Sequence, residues 1–186
     1  MQGNKPRVAM VFGAGMGDGF FEAGFIFAQA ELEEEGSLPY ALTDVICAST
    51  VSYFGIMYAG GVIRRIAEVC ETFRPSDLSE FSLHQLLFGH GALFSNKPLK
   101  KFAQRFLSPA VCRRAVASPV NVHIATVDDS QLGNPDTRVK VWRTHDPYLQ
   151  SHPEKLPNVL SAASDLQVLL PNEEIDGKFY SDCLFA

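Results

Sequence analysis

Apolar and polar positions along the chain alternate between strand-like runs and helical spacings. Val8 to Phe12 is an unbroken apolar run between Pro6 and Gly13, the pattern of a buried parallel strand. Beyond a cluster of glycines, Phe21, Phe25, Ala28 and Leu32 recur at helical spacing, and Gly36 follows four glutamates as a stop signal. Asp44 to Cys47 predicts a second strand, Ala48-Ser49-Thr50 a turn, and the apolar stretch through Tyr58 a helix closing on Gly60-Gly61. A further helix is expected over Val62 to Phe73, with Ile63, Ile66, Ala67 and Cys70 on its apolar face and Pro75 beyond its end. Pro98 to Leu107 reads as an amphipathic helix facing inward through Leu99, Phe102, Ala103 and Phe106. Val120 to Val127 and Arg138 to Arg143 read as strands joined by the turn-rich stretch Gly133-Asn134-Pro135-Asp136. A short helix over Asn158 to Ser164 and a strand over Lys178 to Asp182 complete the pattern.

This alternation predicts an α/β fold whose mainly parallel central sheet is covered on both faces, a three-layer α/β/α arrangement. Ligands in such folds collect at the carboxyl ends of the strands, where both Gly13 to Gly19 and Cys47 to Val51 fall. At 186 residues and 46% hydrophobic content, residues 1–186 fit one domain able to bury a core. The net charge of -5 and the lack of any Lys/Arg tract exclude the usual footprint of a nucleic-acid binder. Cys47, Cys70, Cys112 and Cys183 are widely spaced with no C-x-x-C pair, which points to neither a zinc site nor a disulfide framework and fits a reducing, cytoplasmic setting. The apolar run from Phe20 to Ala30 is too short to span a bilayer and contains Glu22 and Gly24, so any membrane contact is expected to be peripheral.

The glycine loop invites a dinucleotide reading, but its register fails. A G-x-G-x-x-G from Gly13 needs glycine where Asp18 stands, and one from Gly15 needs it where Phe20 stands. Asp18 would also repel a pyrophosphate at the helix entrance. Ser49 lies between a strand and a helix, where a hydrolase places its nucleophile and where serine is also a favoured N-cap.

Taken together, these segments resemble the patatin-like phospholipase family along nearly the whole chain. Ala14 to Gly19 occupies the place of the family's G-G-G-x-K/R-G loop, and Gly24 follows at the family's interval. Asp44 to Val51 echoes D-x-I-x-G-x-S-x-G, Ser161-Ala162-Ala163-Ser164 its small-residue segment, and Glu174 to Asp182 the approach to its D-G motif. The resemblance implies a lipid acyl hydrolase (phospholipase or esterase) using a Ser-Asp dyad, with Ser49 as nucleophile and Asp182 as general base. Backbone N–H groups of Gly15, Met16 and Gly17 would form the oxyanion hole. The implied partner is a lipid or phospholipid substrate, and no metal or organic cofactor is implied. The family continues with strand and helix after its aspartate, so the resemblance also implies a domain shortened at its C-terminus. The sequence departs from the family at Ala14, Met16, Asp18, Cys47, Val51 and Cys183, and a β-branched Val51 beside a tight turn is expected to cost sterically. Those replacements define the alternative, a catalytically impaired relative serving as a lipid-binding or interaction module.

Overall fold

The computed structural model of the protein describes residues 5–13, 19–77, 79–82, 92–131, 138–166 and 169–183. In chain order its strands are β1 (Arg7–Val11), β2 (Ala41–Ala48), β3 (Glu80–Phe81), β4 (Phe94–Ser95), β5 (Asn121–Asp128), β6 (Val139–Arg143), β7 (Glu173–Ile175) and β8 (Lys178–Asp182). The α-helices are α1 (Gly19–Glu34), α2 (Val51–Ala59), α3 (Ile66–Thr72), α4 (Lys97–Gln104), α5 (Pro109–Val116), α6 (Pro147–Ser151) and α7 (Leu156–Ser164). Among the described residues, six strands form the central sheet and β3 pairs with β4 apart from it. The fold is mixed α/β: β1, β2 and β5 are parallel neighbours, while β6 and β8 join β5 antiparallel and β7 joins β8 antiparallel. Among the described residues no helix is long and apolar enough to cross a membrane.

The register fixes where the strand ends meet. Ala125 of β5 faces both Ala48 of β2 and Val141 of β6, and the next residue, Thr126, faces both Lys140 of β6 and Asp182 of β8. A strand has two hydrogen-bonding edges. Because β6 runs continuously along one of them, β2 and β8 share the other and meet end to end there. Their carboxyl ends abut, so a continued β2 would run Ser49 into Asp182. The chain turns out of the sheet at Ser49 and starts α2 two residues later.

Helix α2 lies close on the sheet because it offers a glycine there. A Cβ on Gly55 would stand 2.9 Å from Cys47 Sγ and 3.2 Å from Val122 Cγ1. The same sheet face carries Val45 and Ile124, which join α2 and α7 residues such as Ile56, Val159 and Leu160 in the core. The opposite face carries Val11, Ile46 and Val139, all exposed.

Three sequence expectations are corrected by packing, the first being that Val8 to Phe12 is a buried strand: β1 lies at the edge of the sheet among the described residues and none of its residues is buried. The stripe Phe21, Phe25, Ala28 and Leu32 on α1 faces outward, with Phe21 81% exposed, while Ala23, Ile26 and Ala30 are buried. This helix is apolar on more than one side, so periodicity alone selected the stripe with the phenylalanines, whereas the buried stripe combines Ile26 with the small Ala23 and Ala30, which permit close approach of the neighbouring elements. In the segment after Gly61, Ile63, Ile66 and Val69 are buried and Ala67 and Cys70 are exposed. The segment starts as a 3-10 turn, Ile63–Arg65, whose three-residue spacing replaces the α-helical one. Strand β2 extends further than Asp44 to Cys47, and β7, α5 and α6 were not anticipated. The expected turn at Gly133 to Asp136 lies outside the described residues.

Substituting Gly55→Ala tests the contact that seats α2. We expect a loss of about 1–3 kcal/mol from overpacking, outweighing the roughly 1 kcal/mol that alanine gains in a helix interior. Urea denaturation should show a smaller loss in a Cys47→Ala background, and equal losses in both backgrounds would refute the contact.

Candidate active site

Ser49 adopts φ 56°, in the left-handed region that serine avoids. The cost is roughly 1–2 kcal/mol, and such backbones persist where the surroundings over-determine them. Among the described non-glycine residues Asp176 also has positive φ, 51°, but it precedes Gly177 (φ 79°) in the hairpin between β7 and β8. Asp-Gly is a favoured pair for such a turn, where positive φ at both residues suits the twist of the strands. Ser49 sits in no hairpin; it is a buried serine at a strand-to-helix junction. The N-cap position of α2 is taken by Thr50, so Ser49 stands one residue outside the cap.

Asp182 is buried at the end of β8 and shares a sheet face with Thr126, its cross-strand partner. Its backbone N–H donates to the carbonyl oxygen of Asp165 at 3.0 Å. The edge shared by β2 and β8 therefore brings the two dyad candidates together. The other candidate residues, Gly15, Met16 and Gly17, lie outside the described residues, as do Ala14 and Asp18. Both flanks of that loop are fixed beside Ser49: the Phe12 N–H bonds the Ile46 carbonyl at 2.8 Å, and a Cβ on Gly19 would lie 3.4 Å from Thr50 Oγ1.

The side chains two residues to either side of Ser49 are core residues. Cys47 and Val51 are 1% and 0% exposed. Burial, followed by the charge of Glu22, pushes the Cys47 thiol far above its usual range, which leaves it unreactive. Val51 packs near Gly19 and Cys47 near Gly55, so glycines on the neighbouring helices make the room. The steric cost expected of Val51 is absorbed below the turn, and its removal would leave a cavity.

Beneath Asp182 lies a buried polar network that sequence reasoning missed. The Asp165 carboxylate accepts from Asn96 Nδ2 at 2.9 and 3.0 Å and from Ser161 Oγ at 3.2 Å. Tyr53, one helical turn after Ser49, hydrogen-bonds Ser164, and burial together with the Asp165 charge raises its phenol above the usual range. Glu173 completes the region, paired with Lys100 and accepting from Asn158 Nδ2 at 2.7 Å. The readable signal was a serine, another serine and an aspartate (161, 164 and 165) set in an otherwise apolar stretch, positions that burial in a helix end makes costly unless bonded.

On the other side of Tyr53 is an apolar cavity of about 60 Å³. Gly19, Phe20, Thr50, Tyr53, Phe73 and Phe102 are among its walls. His123 is remote from Ser49 along the sheet and bonds Asp44 Oδ1 through Nε2 at 2.8 Å, a satisfied strand histidine. That bond, with one from Thr43, holds the Asp44 carboxyl below its usual range. Among the described residues, no group of three His, Cys, Asp or Glu side chains is arranged to hold a metal ion. In comparison with known proteins, no family model matches this chain and no curated protein matches it.

Asp165 makes stability depend on pH. Burial pushes its carboxyl up to about 7, against the hydrogen bonds of Asn96 and Ser161 and reinforced by Glu173. The folded state thus keeps a proton that the unfolded chain releases near pH 4, and the stabilisation present below that value is lost as pH rises through about 7. Between those limits the wild type should lose on the order of 4 kcal/mol relative to Asp165→Asn. Parallel urea titrations at a series of pH values measure this, and identical profiles would show that Asp165 is ionised throughout.

Proposed function

We propose that the protein is a patatin-like serine acyl hydrolase that cleaves carboxylic esters of lipids. Ser49 Oγ attacks the acyl carbonyl as Asp182 takes its proton, an acyl-enzyme forms, and water releases the carboxylic acid. The observation that carries this reading is the positive φ of Ser49 at the β2–α2 junction, a strained turn of the kind that exposes a nucleophile at the top of a sheet. It is supported by the abutting ends of β2 and β8, which make Asp182 the nearest strand-end carboxylate in the register. Backbone N–H groups at Gly15, Met16 and Gly17 serve as the oxyanion hole in this reading.

The three-layer patatin-like arrangement belongs to the same proposal, with a further layer covering the sheet face that exposes Val11, Ile46 and Val139. Phe21 and Phe25, exposed on α1 just past the glycine loop, provide apolar surface for peripheral contact with lipid.

A fluorophosphonate probe should label Ser49 and leave Ser49→Ala unlabelled. Asp182→Asn, folded by circular dichroism, should lose roughly 10²–10⁴-fold in labelling and ester hydrolysis. Folded wild-type protein that neither labels nor hydrolyses would favour the binding-module alternative, in which Cys47 and Val51 mark a turn no longer used for attack.

A further inference from the structure

We infer that the apolar cavity beside Thr50 is the acyl site and that it admits only a short acyl chain, of about two to four carbons. The inference rests on the hydrolase reading and specifies its substrate. Thr50, the residue after Ser49, and Gly19, the last residue of the glycine loop, both line the cavity, and a Cβ on Gly19 would lie 3.4 Å from Thr50 Oγ1, so the two chain segments that lead to the proposed site meet at its wall. Its walls are apolar apart from Thr50 and Tyr53, and the Tyr53 hydroxyl is committed to Ser164, which leaves the ring to face the cavity. An acyl tail is the part of an ester that such walls accept, since an alcohol or head group would lose its hydrogen bonds there.

Size sets the limit. An apolar cavity of about 150 Å³ holds a six-carbon benzene ring, and this one offers about 60 Å³. Its walls include a chain of aromatic rings in mutual contact. Phe20 meets Phe73 with centroids 5.1 Å apart, Phe73 meets Phe102 at 5.4 Å, and Phe102 meets Phe106 at 5.3 Å. Lengthening the cavity requires moving one of these rings. Phe102 is almost fully buried and Phe73 less so, which makes them the residues that fix chain length. In a lipid ester, the larger apolar portion then lies on the alcohol side of the scissile bond, outside this cavity.

The test is a series of nitrophenyl esters with acetyl, butyryl, octanoyl and dodecanoyl groups. Wild type should cleave the acetyl and butyryl esters best and lose roughly tenfold or more at octanoyl, in line with the selectivity an apolar pocket gives per methylene. Phe102→Leu, and independently the less buried Phe73→Ala, should move the optimum to longer chains. Wild type that is fastest with octanoyl or dodecanoyl esters overturns the size limit and leaves the hydrolase reading intact, as does a folded variant whose optimum does not move. If no ester is cleaved and Ser49 is not labelled, the hydrolase reading fails and the cavity is judged by binding alone. Saturation-transfer NMR on Ser49→Ala should then detect butyrate and not decanoate, and decanoate binding equal to butyrate, or neither binding, overturns the inference.

Discussion

Two strand ends compete for one edge of β5, and most of the functional region follows from how that competition is resolved. Strand β2 arrives parallel and β8 antiparallel, and they meet between Ala125 and Thr126. Neither can extend through the other. At Ser49 β2 leaves the sheet toward the face that already carries Cys47, Thr126 and the side chain of Asp182. Asp182 turns its outer N–H to the Asp165 carbonyl, which joins β8 to the end of α7. A serine on a strained backbone and a buried carboxylate are thus brought to one place by hydrogen-bond register, a constraint set by the backbone before side chains are considered.

The strain at Ser49 needs a rigid surround, and α2 supplies it. A helix that could drift away from the sheet would let φ relax. Gly55 brings the α2 backbone against Cys47 and Val122, and the burial of Val51, Phe54 and Ile56 fixes its rotation. Each fully buried side chain of this size contributes about 1.5–3 kcal/mol, so a few of them exceed the cost of one left-handed serine several times over. Cys47 and Val51, which look like damage when aligned to a glycine motif, are part of that surround. In this chain the room that glycines would give at 47 and 51 is given by Gly55 and Gly19 on the opposing surfaces.

This division explains what was legible in the sequence. Val8 to Phe12, Asp44 to Cys47 and Val120 to Val127 were readable as strands because each is a short stretch rich in apolar and β-branched residues, although an apolar run did not mean a buried strand for β1, which lies at the sheet edge. The Ser49 turn was readable as a change from strand to helix pattern around a small polar residue. The outward face of α1 was misassigned because Phe21, Phe25 and Leu32 have the spacing of a core stripe, and only the packed structure reveals that Ala23, Ile26 and Ala30 are the residues turned inward. The hairpin of β7 and β8 carried a signal in Asp176-Gly177, which was read instead as part of the approach to Asp182. The Asn96–Asp165–Ser161 network joins positions 65 and 69 residues apart in the chain, and no local pattern encodes such pairing.

Tyr53 connects the polar and apolar halves of this region. It follows Ser49 by one helical turn, its hydroxyl reaches Ser164 beside the buried Asp165 carboxylate, and its ring forms part of the cavity lined by Phe20, Phe73 and Phe102. An aromatic residue with a polar tip suits a boundary of this kind, because either medium alone would leave half of it unsatisfied. Helix α2 therefore separates two environments: hydrogen-bonded polar side chains toward β8 and α7, and an apolar, ring-walled space toward α3 and α4. Proton transfer is favoured where polar partners hold charge, and hydrocarbon is favoured where none are present. Under the proposed acyl-hydrolase reading, this separation would orient an ester across Ser49 before any contact to its head group is made, with its acyl tail on the phenylalanine side and its reacting oxygen atoms on the other.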